Sequence, residues 1–296
     1  MEKNSTVKMQ KTEISAKIVS DSLAPDGSRL TSFVLEFPRI VLAEFNTHRA
    51  FARNSASSRA IPYKKMLEKV KNDPFVPIAF QKDHSGMQGT EYFSGEDHED
   101  CVQDWLSARD NAVNSAEAFL HNITKQLKNR LLEPFLWHKV IATATDWQNF
   151  FALRANEQAE IHIADLAQKM LNCYNESDPE IMSNYGQWHI PFGDRFDNER
   201  LLKIPDTDSI PNNVKISVAR CARISYDNFD GKDDYEADIA LYERLKSSGH
   251  LSPFEHCAYV SLNPKPSNFS GSWQQLRKLI ANENRKDSRV IEKATN

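Results

Sequence analysis

Cysteine is sparse and nowhere arranged for chemistry: Cys101, Cys173, Cys221 and Cys257 are widely scattered, with no CxxC pair. That spacing argues against a zinc site and against a disulfide framework, and leaves reduced core thiols as the expectation. Long apolar runs are missing too. None approaches a membrane span, and no apolar h-region follows the charges at the start of the chain, so a cytoplasmic protein without a membrane partner is expected. Nor is positive charge in excess. The formal net charge of −4 argues against wholesale wrapping of nucleic acid, and leaves room for a local basic site that takes a small phosphorylated ligand. There is no low-complexity segment.

What the chain has is 40% hydrophobic residues over 296 positions, enough to bury a sizeable core as one large or two ordinary domains. It also has one polar segment between apolar runs, residues 46–60, holding His48, Arg49, Arg53, Arg59, Asn46, Asn54, Ser55, Ser57 and Ser58. Arginine offers a planar fork of donors matched to phosphate or carboxylate, and Ser and Asn add short neutral donors. A solvated basic helix end would show the same composition. Ser57 has no histidine placed by sequence to activate it as a nucleophile.

Along the chain, residues 14–37 read as two strands around a turn at Pro25, Asp26, Gly27 and Ser28, a hairpin signal. Pro38 opens a short helix over 39–48, and Pro62 another over 63–70. Residues 72–99, with several Pro and Gly, read as a long loop, a lid or a mobile segment. Apolar residues at helical spacing, from Val102 and Trp105 through Leu120 to Leu131, predict one long buried helix over 101–132 that Pro134 ends. A second helix is predicted over 146–174, capped by Asp146, its polar centre crossing a site or facing solvent. Residues 175–213 read as an irregular connector whose Trp188 and His189 pack on the body. Residues 234–247 predict a helix stopped by Gly249, residues 257–262 a strand, and residues 269–280 a last short helix.

Three stretches together resemble the flavin-dependent thymidylate synthases. His48-Arg49 followed by Asn54, Ser57 and Arg59 is similar to the family's His-Arg motif. Asn149 with Leu153-Arg154 resembles its Asn and Leu-Arg on a long helix. Gly249-His250-Leu251-Ser252-Pro253-Phe254-Glu255-His256, preceded by Ala222-Arg223-Ile224-Ser225, resembles its Gly-His segment and the strand start before it. The Gly-His segment follows the helices here, whereas in common members it comes first, so the resemblance implies a circular permutation joined through residues 175–213. Residues 1–13 are expected to be a flexible tail and residues 14–296 a single domain similar to that family, an α+β fold in which an antiparallel sheet from the N- and C-terminal strands packs with long helices.

The resemblance further implies C5 methylation of dUMP to dTMP with FAD as cofactor and methylenetetrahydrofolate and NADPH as co-substrates, in a homotetramer with shared sites. Arg154 matches the arginine that activates the pyrimidine. His48, Arg49, Asn149, His250, Ser252 and Glu255 match flavin contacts, and Ser57, Ser58, Arg59 and Arg130 match nucleotide contacts. Gln274 and Arg277 have the spacing of a nucleotide-binding Gln and Arg that the first copy of the lead-in replaces with Glu44 and Thr47. Gln158, Thr143 and Thr145 also depart from the pattern, standing for a His, an Asn and an Arg at the long helix. Three other readings stay open: hydroxymethylation of dUMP or dCMP on the same scaffold, a flavin- or nucleotide-binding protein without activity, and an Arg154 tied only to Glu157 or Glu160.

Overall fold

The computed structural model describes residues 11–55, 57–59, 61–85, 89–119, 121–206, 208–224 and 234–280. Gly27 takes φ 84°, a region glycine enters without steric cost. The turn is closed where the Ala24 N–H donates to Ser28 O at 2.9 Å. Strand β1 (Ser15–Leu23) therefore folds back on β2 (Arg29–Pro38), as the Asp-Gly pair predicts. The other edge of β2 is filled by β4 (Trp137–Ala144), antiparallel from Thr31 opposite Ala144 to Pro38 opposite Trp137. Strand β3 (Ala52–Ser55) pairs with β4, and β5 (Glu180–Ile181) adds parallel to β1, giving the order β3-β4-β2-β1-β5.

The C-terminal strands do not join that sheet. Strands β6 (Trp188–His189), β7 (Ala258–Val260) and β8 (Trp273–Gln275) form a second antiparallel sheet, order β6-β7-β8. The class remains α+β, but the single sheet expected from both ends of the chain is two, because both edges of β7 are taken by β6 and β8. Trp188 and His189 do pack on the body, as strand β6.

A 3-10 turn at Arg39–Val41 leads into α1 (Leu42–Asn46), and α2 (Tyr63–Asn72) follows. The helix predicted over 101–132 is two, α3 (Glu96–Glu117) and α4 (Lys125–Arg130). Acidic residues Glu96, Asp97 and Glu99 fill the first turn of α3, where the helix dipole favours them. It is not a buried helix. Val113 and Ala116 are its buried residues, and Phe119, Leu127 and Leu131 beyond it are exposed; Leu120 lies outside the described residues. The helix predicted over 146–174 also divides, into α5 (Gln148–Arg154) and α6 (Ile161–Glu176). Glu160 makes the break, its carboxylate accepting the N–H groups of His162 and Ile163 at 3.0 and 3.1 Å. Asp146 caps neither helix; it accepts from Thr145 and Ser270. Thr143 stands in β4, not at a helix start.

After α7 (Asn198–Leu201), the segment expected to begin a strand is helix α8 (Asn212–Ile224). It packs on α9 (Tyr235–Ser247), which Asp234 caps through the Ala237 N–H and which ends before Gly249 at φ 71°. Ser225 of the strand-start motif lies outside the described residues. So do Gly86, Met87 and Gln88 of the long loop and residues 1–10 of the predicted tail. The rest of that loop is tied down: the Ile78 N–H donates to His162 Nε2 at 3.1 Å, and the Trp105 indole to Phe75 O at 2.8 Å. Thr12, at the end of the predicted tail, bonds the Asp73 carboxylate. Residues 269–280 hold β8 and a 3-10 turn, Leu276–Leu279, in place of the predicted helix. Cys221 and Cys257 are buried and Cys101 and Cys173 partly exposed, all four free. Among the described residues, no helix is long and apolar enough to cross a membrane.

Candidate functional site

Arg154 closes α5, at a helix end where a cation is favoured. Its Nε–H donates to His48 Nε2 at 3.2 Å and its Nη1 to Glu44 Oε2 at 3.1 Å. Its ion-pair partner is thus Glu44, which lies 110 residues earlier, and not Glu157 or Glu160. His48 is held by aromatic neighbours: Phe150 meets it edge-on with centroids 4.9 Å apart, and Phe51 stacks at 5.8 Å. Because a guanidinium can only donate, Nε2 is the acceptor and the imidazole proton sits on Nδ1. Burial, then Arg154 and Arg53, hold the His48 pKa below the usual histidine range. The Glu44 carboxyl is raised by burial, with Arg154 opposing and Glu160 adding to the rise.

Arg53, from β3, turns back onto the segment that carries His48. Its Nη1 donates to the carbonyls of Phe45, Asn46 and His48 at 3.4, 3.2 and 3.0 Å, adding a charged donor to oxygens at and just beyond the end of α1, where Phe45 O also accepts from the His48 N–H. Asn54, the next residue, donates to Cys221 O in α8 at 2.9 Å and accepts from Ser252 Oγ at 3.1 Å. That pair fastens the Gly-His segment to the His-Arg segment. Glu255 forms an ion pair with Arg277 and also acts electrostatically on Arg53. Gln275 donates to Glu255 O and to Asn268 Oδ1, and Asn268 donates to Ala50 O. Gln274 is buried, its amide oxygen accepting from the Lys265 N–H at 2.8 Å.

The second group of predicted residues gathers elsewhere. Ser58 is buried, and its hydroxyl donates to Glu133 at 2.5 Å, while Asn129 donates to the carbonyls of Ser58 and Ile61. Glu133 also pairs with Arg39 at 3.2 Å. Ser57 and Arg59 are exposed in the turn beside them, and Arg130 lines a groove of about 500 Å³ with Arg39 and Asn46. The structure therefore brings His48, Arg154, Ser252, Glu255 and Arg277 into one neighbourhood, and sets Ser57, Ser58, Arg59 and Arg130 in another. Sequence reasoning missed the residues that knit the first: Glu44 as the partner of Arg154, Arg53 as the cap, and Asn268 with Gln275. Arg53 and Glu44 were visible as charges near the motif, but their partners are distant or are backbone atoms.

Arg49 and Asn149 flank the His48 to Phe150 contact, and both are exposed. Neither has a hydrogen-bond or ion-pair partner among the described residues, so their donors are open to a ligand. His250 is exposed as well, its Nδ1 2.9 Å from Ser248 Oγ. Arg49 and Asn149 thus leave a cationic and an amide donor exposed beside the aromatic cluster of Phe51, Trp147 and Phe150. His162 and Gln158 line a separate pocket of about 310 Å³ against Phe80, Tyr92 and Trp105.

No family model matches the chain, and no curated protein matches it. Among solved structures, the UMP/dUMP methylase PolB from Streptomyces cacaoi bound with 5-Br UMP is similar at 17% identity and a TM-score of 0.47, covering 56% of this chain and 90% of that one. The same enzyme bound with 5-Br dUMP gives 14% identity and a TM-score of 0.45, covering 56% and 91%. Neither likeness reaches a level that identifies a fold family.

Proposed function

We propose that this chain is a flavin-dependent transferase that adds a one-carbon unit to C5 of a pyrimidine deoxynucleoside monophosphate. In the form the resemblance implies, dUMP becomes dTMP, with methylenetetrahydrofolate as carbon donor and NADPH as reductant. The observation that supports this most is the position of Arg154. It stands between the imidazole of His48 and the Glu44 carboxylate, where two of the segments carrying the resemblance meet, and Ser252 of the third is bonded to Asn54 of the first.

A guanidinium fixed in this way stabilises negative charge on the pyrimidine ring, which makes C5 nucleophilic. His48 is biased toward its neutral form by burial and by Arg154 and Arg53, so it orients Arg154 without adding a competing cation. Arg49, Asn149, His250 and Ser252 are the residues that would hold FAD, with Glu255 beside them. Reduced FAD, when bound, supplies the hydride of such a reaction. Ser57, Ser58, Arg59 and Arg130 would take the nucleotide phosphate, with Gln274 and Arg277 as further nucleotide contacts. Because Ser57, Ser58, Arg59 and Arg130 form a group apart from Arg154, the proposal includes a homotetramer in which neighbouring subunits complete each site.

The test is an absorbance spectrum after adding FAD, followed by mass spectrometry of product from dUMP. A bound-flavin spectrum and a methyl mass gain support the reading, and Arg154→Ala lowers turnover by about 100-fold or more. A protein that stays colourless with FAD overturns it. One observation favours a second reading, C5 hydroxymethylation of dUMP or dCMP: the carboxylate of Glu44 lies on Arg154, at the position where the lead-in departs from the family pattern. Product carrying an added oxygen identifies that reaction.

A further inference from the structure

Arg154 uses Nε on His48 and Nη1 on Glu44 Oε2. Among the described residues, nothing hydrogen-bonds Arg154 Nη2 or Glu44 Oε1, and both side chains are partly open, at 22% and 39% exposure. The pair therefore presents a fixed acceptor beside a fork of donors. Pyrimidine edges differ in just these terms. From C4 to C2, cytosine offers an amino donor and then two acceptors, N3 and O2. Uracil offers an acceptor, the N3–H donor and another acceptor.

Resting on the proposal that Arg154 activates a pyrimidine nucleotide, we infer that Glu44 and Arg154 together read the edge of cytosine, so that this site takes a cytosine deoxynucleoside monophosphate in preference to a uracil one. Glu44 accepts the 4-amino N–H, and the free fork of Arg154 donates to N3 and O2, so all three edge groups are satisfied. With uracil, Glu44 can accept the N3–H while Arg154 donates to one carbonyl. The other carbonyl then goes unmatched, or faces the carboxylate across an acceptor-to-acceptor contact. A site built to bond a particular donor rejects the analogue that lacks it, because its own polar atom is left unpaired. Glu160 is near enough to act on Glu44 electrostatically and adds to the negative potential there.

The experiment is calorimetric binding of three ligands to the full chain: dCMP, dUMP and the 2-pyrimidinone deoxyribonucleoside monophosphate, which has no group at C4. The inference expects dCMP to bind about 10- to 100-fold more tightly than dUMP, and the 2-pyrimidinone analogue to lose a similar factor. Glu44→Gln presents an amide that can donate to O4, so it should reverse the preference; Glu44→Ala should reduce it, leaving the part that Arg154 reads at N3. Equal or tighter binding of dUMP to the unaltered protein overturns the inference and leaves the transferase proposal standing. So does an unchanged ratio in a folded Glu44→Gln protein. Failure of every one of the three ligands to bind overturns both. The ligand series needs no variant, so the inference stays testable even if the substitutions fail to fold.

Discussion

Arg53 carries a structural role that composition could not show. It belongs to a segment read as anion-binding, yet its Nη1 is spent on three backbone carbonyls at the end of α1. Hydrogen bonds from a charged donor contribute more than neutral ones, so Arg53→Met should destabilise the fold by about 1–3 kcal/mol. It should also loosen the His48 loop, visible as a lower urea midpoint with the slope unchanged; an unchanged midpoint would show that water caps these carbonyls equally well. Arg154 teaches the complementary lesson. Asn149 and Leu153-Arg154 single it out in the sequence, but spacing along the chain points to a partner at Glu157 or Glu160. The carboxylate that meets it comes from α1. Which of several nearby acids meets a given guanidinium is decided by packing, here by Phe150 and Phe51 around His48, and not by spacing along the chain.

Elements with strong punctuation were legible, and those without it were not. The β1 to β2 hairpin announces itself through Asp26-Gly27, and α9 through its acidic start and Gly249. Gly249 adopts φ 71°, and nothing lies within 4 Å of where a Cβ would stand. Gly249→Ala should therefore cost about 1 kcal/mol from backbone conformation alone, measurable by denaturant titration. A neutral result would mean that the turn after α9 relaxes. Strand β4 went unseen although Trp137, Val140, Ile141 and Thr143 favour a strand: its last five residues are all buried, so no alternation of polar and apolar positions marks it, and yet it is the central pairing partner of β2 and β3. Helix α8 looked like a strand start because nearly every side is buried, Lys215 and Arg220 included, so no polar stripe marks its period. Strand β8 was hidden by the opposite accident: Trp273, Leu276 and Leu279 fall at helical intervals while serving a strand and a 3-10 turn.

At the scale of the whole molecule, the two sheets are joined through a buried chain of hydroxyls and imidazoles. Ser22 Oγ lies 2.9 Å from His189 Nδ1, and His189 Nε2 lies 2.8 Å from Ser32 Oγ. Ser32 is 2.6 Å from Thr143 Oγ1, which is 2.9 Å from His256 Nδ1. Among the described residues, His256 Nε2 has no hydrogen-bond partner, and both rings are fully buried. Burial lowers the pKa of each to about 3, with Asp21 pulling His189 slightly the other way and His189 adding to the depression at His256. His138, buried beside Arg39, is likewise lowered to about 3. The native pKa of each lies below the unfolded value of about 6.5, so between those limits the unfolded chain binds protons that the native protein refuses. Stability is then fully present above about pH 6.5 and is lost progressively as pH falls toward 3, with each histidine contributing a slope of about 1.4 kcal/mol per pH unit. Urea unfolding at intervals from about pH 7 to about pH 4.5 should show this steepening. His256→Gln should flatten the slope by about one proton relative to the unaltered chain, whatever it does to stability at neutral pH. Equal slopes in the two proteins would mean that His256 takes up its proton in the folded state, through an opening of the seam between the sheets.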